Sequence, residues 1–303
     1  MVGFFQELAK KLAERWLTLL VVPGALFLAA VWLGLRLGHA DALNWTRLNA
    51  DLTATTASFA RQPGATQAVL AGVVLLGATG TGLVVQALAG VTRALWLGLW
   101  PRPFAFLLRP LLDGRRRRWQ KRLDARRELE KAHPRANRTA AQQEKITTAA
   151  ARLNRLALVK PGRPTWMGDR MHGVEQIAVN RYGLDLSFGW PRLWLLLPDT
   201  PRTEIAATHN AFAAAVATGT WAWPYLLLAT LWWPAALVAL GIGLTGWTRA
   251  RTTVSDLAVL SESALDLHGR LLAVSLGIAD KDSTGPLTVE EGEQITAAVR
   301  KGR

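Results

Sequence analysis

Five histidines (His39, His133, His172, His209 and His268) are where metal or acid–base chemistry would first be sought, and their spacing argues against it. None pairs with another at metal-ligand spacing, and no His-Glu-x-x-His is present. His172 and Glu175 lie one helical turn apart, which suits a surface pair better than a ligand pair. Asp280, Asp282, Thr284 and Glu291 fall at positions 1, 3, 5 and 12 of a calcium loop, with Gly285 at position 6. Thr284 is a weak ligand, however, and Pro286 sits where a backbone carbonyl must be aimed. Thr288-x-x-Glu291 is also a capping box, with Leu287 available as its staple, and a cap explains these residues without metal. Gly77, Gly80 and Gly82 superficially look like a phosphate loop, but no strand precedes them and their surroundings are apolar. No nucleophile elbow appears. The chain has no cysteine, which excludes disulfides and thiolate metal sites. The expectation is a non-enzymatic protein with no catalytic residues, no metal and no cofactor.

Half of the 303 residues are apolar, and they collect in long blocks without charge. The first runs from Trp16 to Leu35 between Arg15 and Arg36; at 20 residues it would be about 30 Å long as a helix, the thickness of a bilayer core. It is too long for the apolar part of a signal peptide, the competing reading. The second runs from Ala68 to Val91. Within it Ala78, Gly82, Gln86 and Gly90 recur every fourth residue, predicting a stripe for close helix packing with one amide to bond across it. The third, Ile205 to Thr248, has 44 residues without charge and would reach roughly 66 Å as one helix, twice the core thickness, so it must fold back. Trp221, Trp223, Pro224, Trp232, Trp233 and Pro234 place the turn between about Tyr225 and Leu231.

Of the 36 Lys and Arg residues, only Arg36, Arg47 and Arg61 fall in the connection 36–64. Four spans put all the others on one side, which the positive-inside rule makes cytoplasmic. The implied organisation is an amphipathic N-terminus (1–15), two spans with a short external loop 36–64 (16–92), a basic cytoplasmic insertion (93–204), a transmembrane hairpin (205–248) and a helical cytoplasmic tail (249–303). Both termini would be cytoplasmic in the plasma membrane. No charge lies inside any span, which argues against ion-coupled transport by a monomer. The net charge of +14 calls for an anionic partner. Arg115, Arg116, Arg117, Arg118, Lys121, Arg122, Arg126 and Arg127 would meet the anionic inner leaflet, each contributing about 1 kcal/mol; a solvated helix that only sets orientation is the alternative. No recognised nucleic-acid fold accompanies the run, which disfavours nucleic acid. A helix is expected from Asp113 to about Ala132, stopped by His133-Pro134, with a second from Thr139 to Val159 completing a hairpin.

A junction then leads into the third block: Pro164, Thr165 and Gly168, then Glu175, then Arg181, Tyr182, Gly183, Leu184 and Asp185, then Trp190, Pro191, Arg192, Leu193 and Trp194. These residues, with Ala264 to His268 in the tail, resemble a family of uncharacterised bacterial multi-span membrane proteins. The likeness covers most of the chain from the second span onward. It departs from the pattern at Asp169, where Asn is usual, and at His172, where Arg is. It implies architecture and no activity. The junction itself is expected to be structural, with Glu175, Arg181, Asp185 and Arg192 in ion pairs; a ligand pocket is the competing reading.

The resulting expectation is an all-α, four-span membrane protein acting as an anchor or scaffold for protein partners, a second copy among them. An oligomeric pore or membrane-perturbing effector, and a transporter or membrane enzyme with an unrecognised site, are the alternatives.

Overall fold

The computed structural model describes Glu7, residues 21–100 and residues 105–300, and these are helical with no strand. The expected amphipathic N-terminus, apart from Glu7, and the start of the first apolar block lie outside the described residues. The helices are α1 (Val22–Leu37), α2 (Trp45–Ala60), α3 (Gly64–Trp96), α4 (Ala105–Ala132), α5 (Ala140–Asn154), α6 (Trp166–Tyr182), α7 (Leu186–Leu196), α8 (Asp199–Thr220), α9 (Ala222–Leu228), α10 (Pro234–Ser275) and α11 (Val289–Arg300). By length and composition, α3 and the stretch Asp199–Leu228 are apolar enough to cross a membrane, while the described part of α1 is a shorter apolar helix. The chain divides into two compact units, residues 1–92 with 214–249, and residues 93–213 with 250–303.

In the first unit helices meet through small residues. A Cβ on Gly24 of α1 would lie 2.0 Å from the Ala78 carbonyl oxygen of α3, and one on Gly246 of α10 would lie 2.5 Å from the Gly219 nitrogen of α8. Only backbone can approach backbone so closely. Between these contacts Phe27 packs edge-on against Tyr225 at 5.2 Å. Buried Thr92 Oγ1 accepts from Trp223 Nε1 at 3.1 Å and lies 3.0 Å from Thr220 Oγ1. The buried face of α3 runs Ala78, Gly82, Val85 and Thr92, which leaves Gln86 and Gly90 of the predicted stripe exposed. The reason is geometric: a helix turns about 100° per residue, so a strict four-residue repeat drifts about 40° at each step and leaves the contact after Gly82.

The fold-back in the third block comes slightly later than expected, between Leu228 and Pro234, after a break in the helix at Trp221. The connection 36–64 holds α2, which the sequence did not betray because it buries no residue and so carries no apolar stripe. Its cap is conventional: Asn44 Oδ1 accepts from Arg47 N at 3.0 Å.

The second unit begins at the end of α3. Helices α4 and α5 pack as the expected hairpin, α5 opening with a capping box between Thr139 and Gln142. Helix α4 starts at Ala105, before Asp113, because Pro110 lies near enough to its beginning to cost one hydrogen bond without ending it. The core joins α6, α7, the start of α8, the later part of α10 and α11, around Tyr182, Leu184, Leu193, Leu265 and Ile295. Helix α11 lies so close to α6 that a Cβ on Gly292 would stand 1.6 Å from the Tyr182 carbonyl oxygen. Gly292→Ala is therefore expected to destabilise the second unit by about 1–3 kcal/mol through overpacking. Gly114→Ala, where a Cβ meets nothing within 4 Å, should be neutral or stabilising by about 0.5–1 kcal/mol. Chemical denaturation of the two purified variants in detergent measures both shifts.

Candidate functional site

The junction residues are the first candidates, and the structure gives each a local task. Thr165 caps α6 by accepting from Gly168 N at 3.1 Å. Gly168 is small because the Leu97 carbonyl oxygen would lie 2.1 Å from any Cβ there, and Pro164 closes over Gly98, whose φ is +65°. Gly183 ends α6 in the left-handed conformation, and Asp185 starts α7 by accepting from Ser187 N at 3.0 Å. Trp190 and Trp194 lie one turn apart on α7, their rings tilted by 42° with centroids separated by 6.4 Å. Arg192 donates to the Phe188 carbonyl at 2.7 Å.

Three of the four expected ionic groups find ionisable partners, though not among themselves, while Arg192 makes no ion pair among the described residues and bonds only a backbone carbonyl. Arg181 faces Asp266 at 3.9 Å, Asp185 pairs with Arg300 at 3.0 Å, and Glu175 lies 3.3 Å from His172. Tyr182 donates its hydroxyl to Asp266. Burial first, and then that bond to a carboxylate, push the Tyr182 phenol up to about 12. Burial alone would raise Asp185, but the bonds it accepts from Arg300 and Ser187 outweigh it and hold its carboxyl below the usual range. The tail locks this corner further: Thr296 donates to the Gly183 carbonyl and accepts from Asp185 N, both at 3.0 Å.

The basic run is two-faced. Arg115 reaches buried Asp169, donating from Nε at 3.0 Å; Asp169 also accepts from Gly162 N and Arg163 N at 2.8 and 2.7 Å. Arg116 donates to the Pro161 carbonyl at 3.0 Å, Arg122 to that of Arg152 at 2.8 Å, and Arg126 to Glu130 at 3.0 Å. Arg115, Arg116 and Arg122 thus brace the hairpin and its neighbours, while Arg126 is held within α4 itself. Arg117, Arg118, Lys121 and Arg127 are exposed, and they remain the residues open to an outside partner.

In the calcium-like loop, Glu291 accepts from Thr288 N at 2.8 Å while Thr288 Oγ1 accepts from Glu291 N at 3.2 Å, the reciprocal pattern of a capping box. Arg270 adds a guanidinium 3.2 Å from Glu291 and donates to the Thr284 carbonyl at 2.6 Å. A fixed cation already sits where the loop would turn toward a metal. Among the described residues no cluster of three His, Asp or Glu side chains could hold one.

A cavity of about 550 Å³ opens in the second unit, within the range of small-molecule sites. Its walls are Met171 and Val174 of α6, Leu186, Trp190 and Trp194 of α7, and Leu257 of α10. Polar groups come from Arg93 at the end of α3, Glu175, Ser187, the neighbours His209 and Asn210 on α8, and Ser261 on α10. Ser261 is buried, whereas Arg93, His209 and Asn210 are exposed. The chamber can hold an apolar body and orient a polar end.

The junction tryptophans and Glu175 were singled out in the sequence and His209 was weighed only as a metal ligand, but Asn210 and Ser261 were not singled out and Arg93 was not read as part of a site. The available signal was His209 and Asn210 themselves, polar side chains on consecutive residues inside a charge-free block. No family model, curated protein or solved structure matches this chain.

Two outcomes test the junction. Asp169→Ala leaves the Arg115 guanidinium, whose side chain is only 16% exposed, without its partner and should cost about 3 kcal/mol; Arg127→Ala should stay within about 0.5 kcal/mol. Thermal unfolding of the two variants compares them. For Tyr182, the raised pKa means that folding favours the protonated phenol. That contribution is complete below the free phenol's pKa of about 10, and it is lost as the pH climbs from there through about 12. In a Tyr225→Phe background, Tyr182 is the one remaining tyrosine. Its phenolate absorbance should rise near pH 12, and Asp266→Asn should move the midpoint downward.

Proposed function

We propose that this chain is a four-span integral membrane protein that anchors a helical cytoplasmic platform for protein partners. The observation that carries the reading is the outer face of α3. Val69, Val73, Leu76, Leu83 and Val84 are between 53% and 73% exposed on a helix without a charge from Gly64 to Thr92. A contiguous apolar surface of that kind marks contact with lipid or with another protein. The glycine contacts and the Thr92–Trp223 bond of the first unit suit helices associating in lipid, where small residues and cross-helix hydrogen bonds replace the hydrophobic effect. With α1, α3, α8–α9 and the start of α10 each crossing once, 33 of the 36 Lys and Arg residues fall on the cytoplasmic side. The platform is the second unit, held by its tail and carrying Arg117, Arg118, Lys121 and Arg127 outward toward partners or anionic lipid.

Self-association is a second reading. Gln86 is an exposed amide on the apolar face of α3, and in lipid its donor and acceptor need a partner that a second copy can supply.

Membranes from expressing cells should retain the protein through an alkaline carbonate wash, and a reporter that works only in the cytoplasm should be active when fused after Arg303. Recovery in the wash, or a reporter silent at the C-terminus, would overturn the topology. Cysteine crosslinking of Gln86→Cys decides the second reading: a dimer should form with this variant and not with Thr66→Cys.

A further inference from the structure

We infer that the cavity beneath Trp190 and Trp194 is a binding site for one long-chain amphiphile with an anionic head. The chamber's size and its wall of Met, Val, Leu and Trp suit an apolar chain. Its charged edge is asymmetric. Glu175 already lies 3.3 Å from His172, while Arg93 makes no ion pair among the described residues. A free guanidinium beside His209 and Asn210 offers a phosphate or carboxylate several donors, with bidentate geometry available from the arginine. Arg93 also stands near the end of a helix long and apolar enough to cross a membrane, and His209 and Asn210 stand on the other such stretch. An amphiphile held here would set its head among Arg93, His209 and Asn210 and its chain among the junction residues. Ser261, buried at the chamber wall, leaves a hydroxyl for a polar atom further along the ligand.

The site also makes sense of the junction's composition. Two tryptophans side by side on one face of α7 present a broad apolar wall that is only partly buried. Filling the cavity would remove that surface from water, which favours an apolar occupant.

The anionic amphiphile could be a membrane phospholipid or a free fatty acid, and one experiment separates them. The full-length protein in detergent is titrated with phosphatidylglycerol or with oleic acid, each brominated along its chain, and tryptophan fluorescence is read as the difference between the wild type and Trp194→Phe. The expected result is saturable quenching with one molecule bound per chain. Phospholipid alone, fatty acid alone or both would each support the inference and name the source. Arg93→Ala should weaken binding at least tenfold, and Ala206→Trp should abolish it by filling the chamber. Because Ala206→Trp could impair folding, Arg93→Ala, at an exposed position, is the deciding variant, with circular dichroism verifying its fold. Quenching that rises linearly with additive and is unchanged in Arg93→Ala would overturn the inference. The membrane topology is tested without reference to this result, so either can fail while the other stands.

Discussion

Asp169 is the most heavily used side chain in the second unit. It is 3% exposed and receives two backbone N–H groups of the turn at Gly162 and Arg163 together with the guanidinium of Arg115. A carboxylate taken this far from water is tolerated only when its lone pairs are filled and a counter-charge is close. The N–H groups come from the turn just before α6, but the counter-charge comes from Arg115, 54 residues away, so the charge can be buried only if α4 is in place. The pair therefore acts less as a source of net stability than as a condition on geometry. With the Arg115 side chain on α4 and Asp169 in the first turn of α6, the basic hairpin and the junction cannot slide relative to one another without stranding a charge. The Leu97 carbonyl against Gly168 fixes the same turn from the other side. Met171, Val174 and Glu175 follow within two turns, so the α6 wall of the cavity inherits that register.

The far end of α6 is fixed by a different device. Gly183 permits the left-handed turn, Tyr182 anchors to Asp266 on α10, and Asp185 both opens α7 and receives Arg300 from α11. Four elements thus converge on the four consecutive residues from Tyr182 to Asp185. This explains why the junction looks like a dense motif without being a catalytic one: almost every side chain in it is a cap, a close approach or a fixed partner. The cavity lies on the face that these tasks leave unused.

Local signals were legible in the sequence because their physics is local. The capping box at Thr288 and Glu291, the hairpin broken at His133 and Pro134, and the fold-back among the tryptophans of the third block all depend on residues a few positions apart. Partners across the fold were not legible. Asp185 and Arg300 are 115 residues apart, and nothing in either segment singles out the other. The basic run shows the same limit. Its composition suggested one surface, yet helical geometry gives Arg115, Arg122 and Arg126 one face and Arg117, Lys121 and Arg127 others, and only the fold decides which face is covered. The packing stripe on α3 was half legible, since a four-residue repeat approximates a helical face for one turn and then leaves it.

Both units use close glycine contacts, with Gly168 and Gly292 serving in the second as Gly24 and Gly246 do in the first, but they differ in the size of the residues that fill the rest of the interior. In the first, close contacts are made by Gly24, Gly34, Gly219 and Gly246, and large aliphatic side chains on α3 and α10 point outward. In the second, the core is built from Tyr182, Leu193, Leu265, Leu272 and Ile295, and charges lie at the surface or in pairs. Burying large apolar groups is rewarded by water and not by hydrocarbon, where association gains from backbone proximity and cross-helix hydrogen bonds instead. A single helix, α10, contributes to both interiors along its length: Gly246 packs against Gly219 in its earlier part, and Leu265 and Leu272 enter a large-residue core in its later part. Arg249 and Arg251 fall between those parts. On the four-span reading proposed above, this is where α10 would leave lipid for water, with its first cations at the boundary.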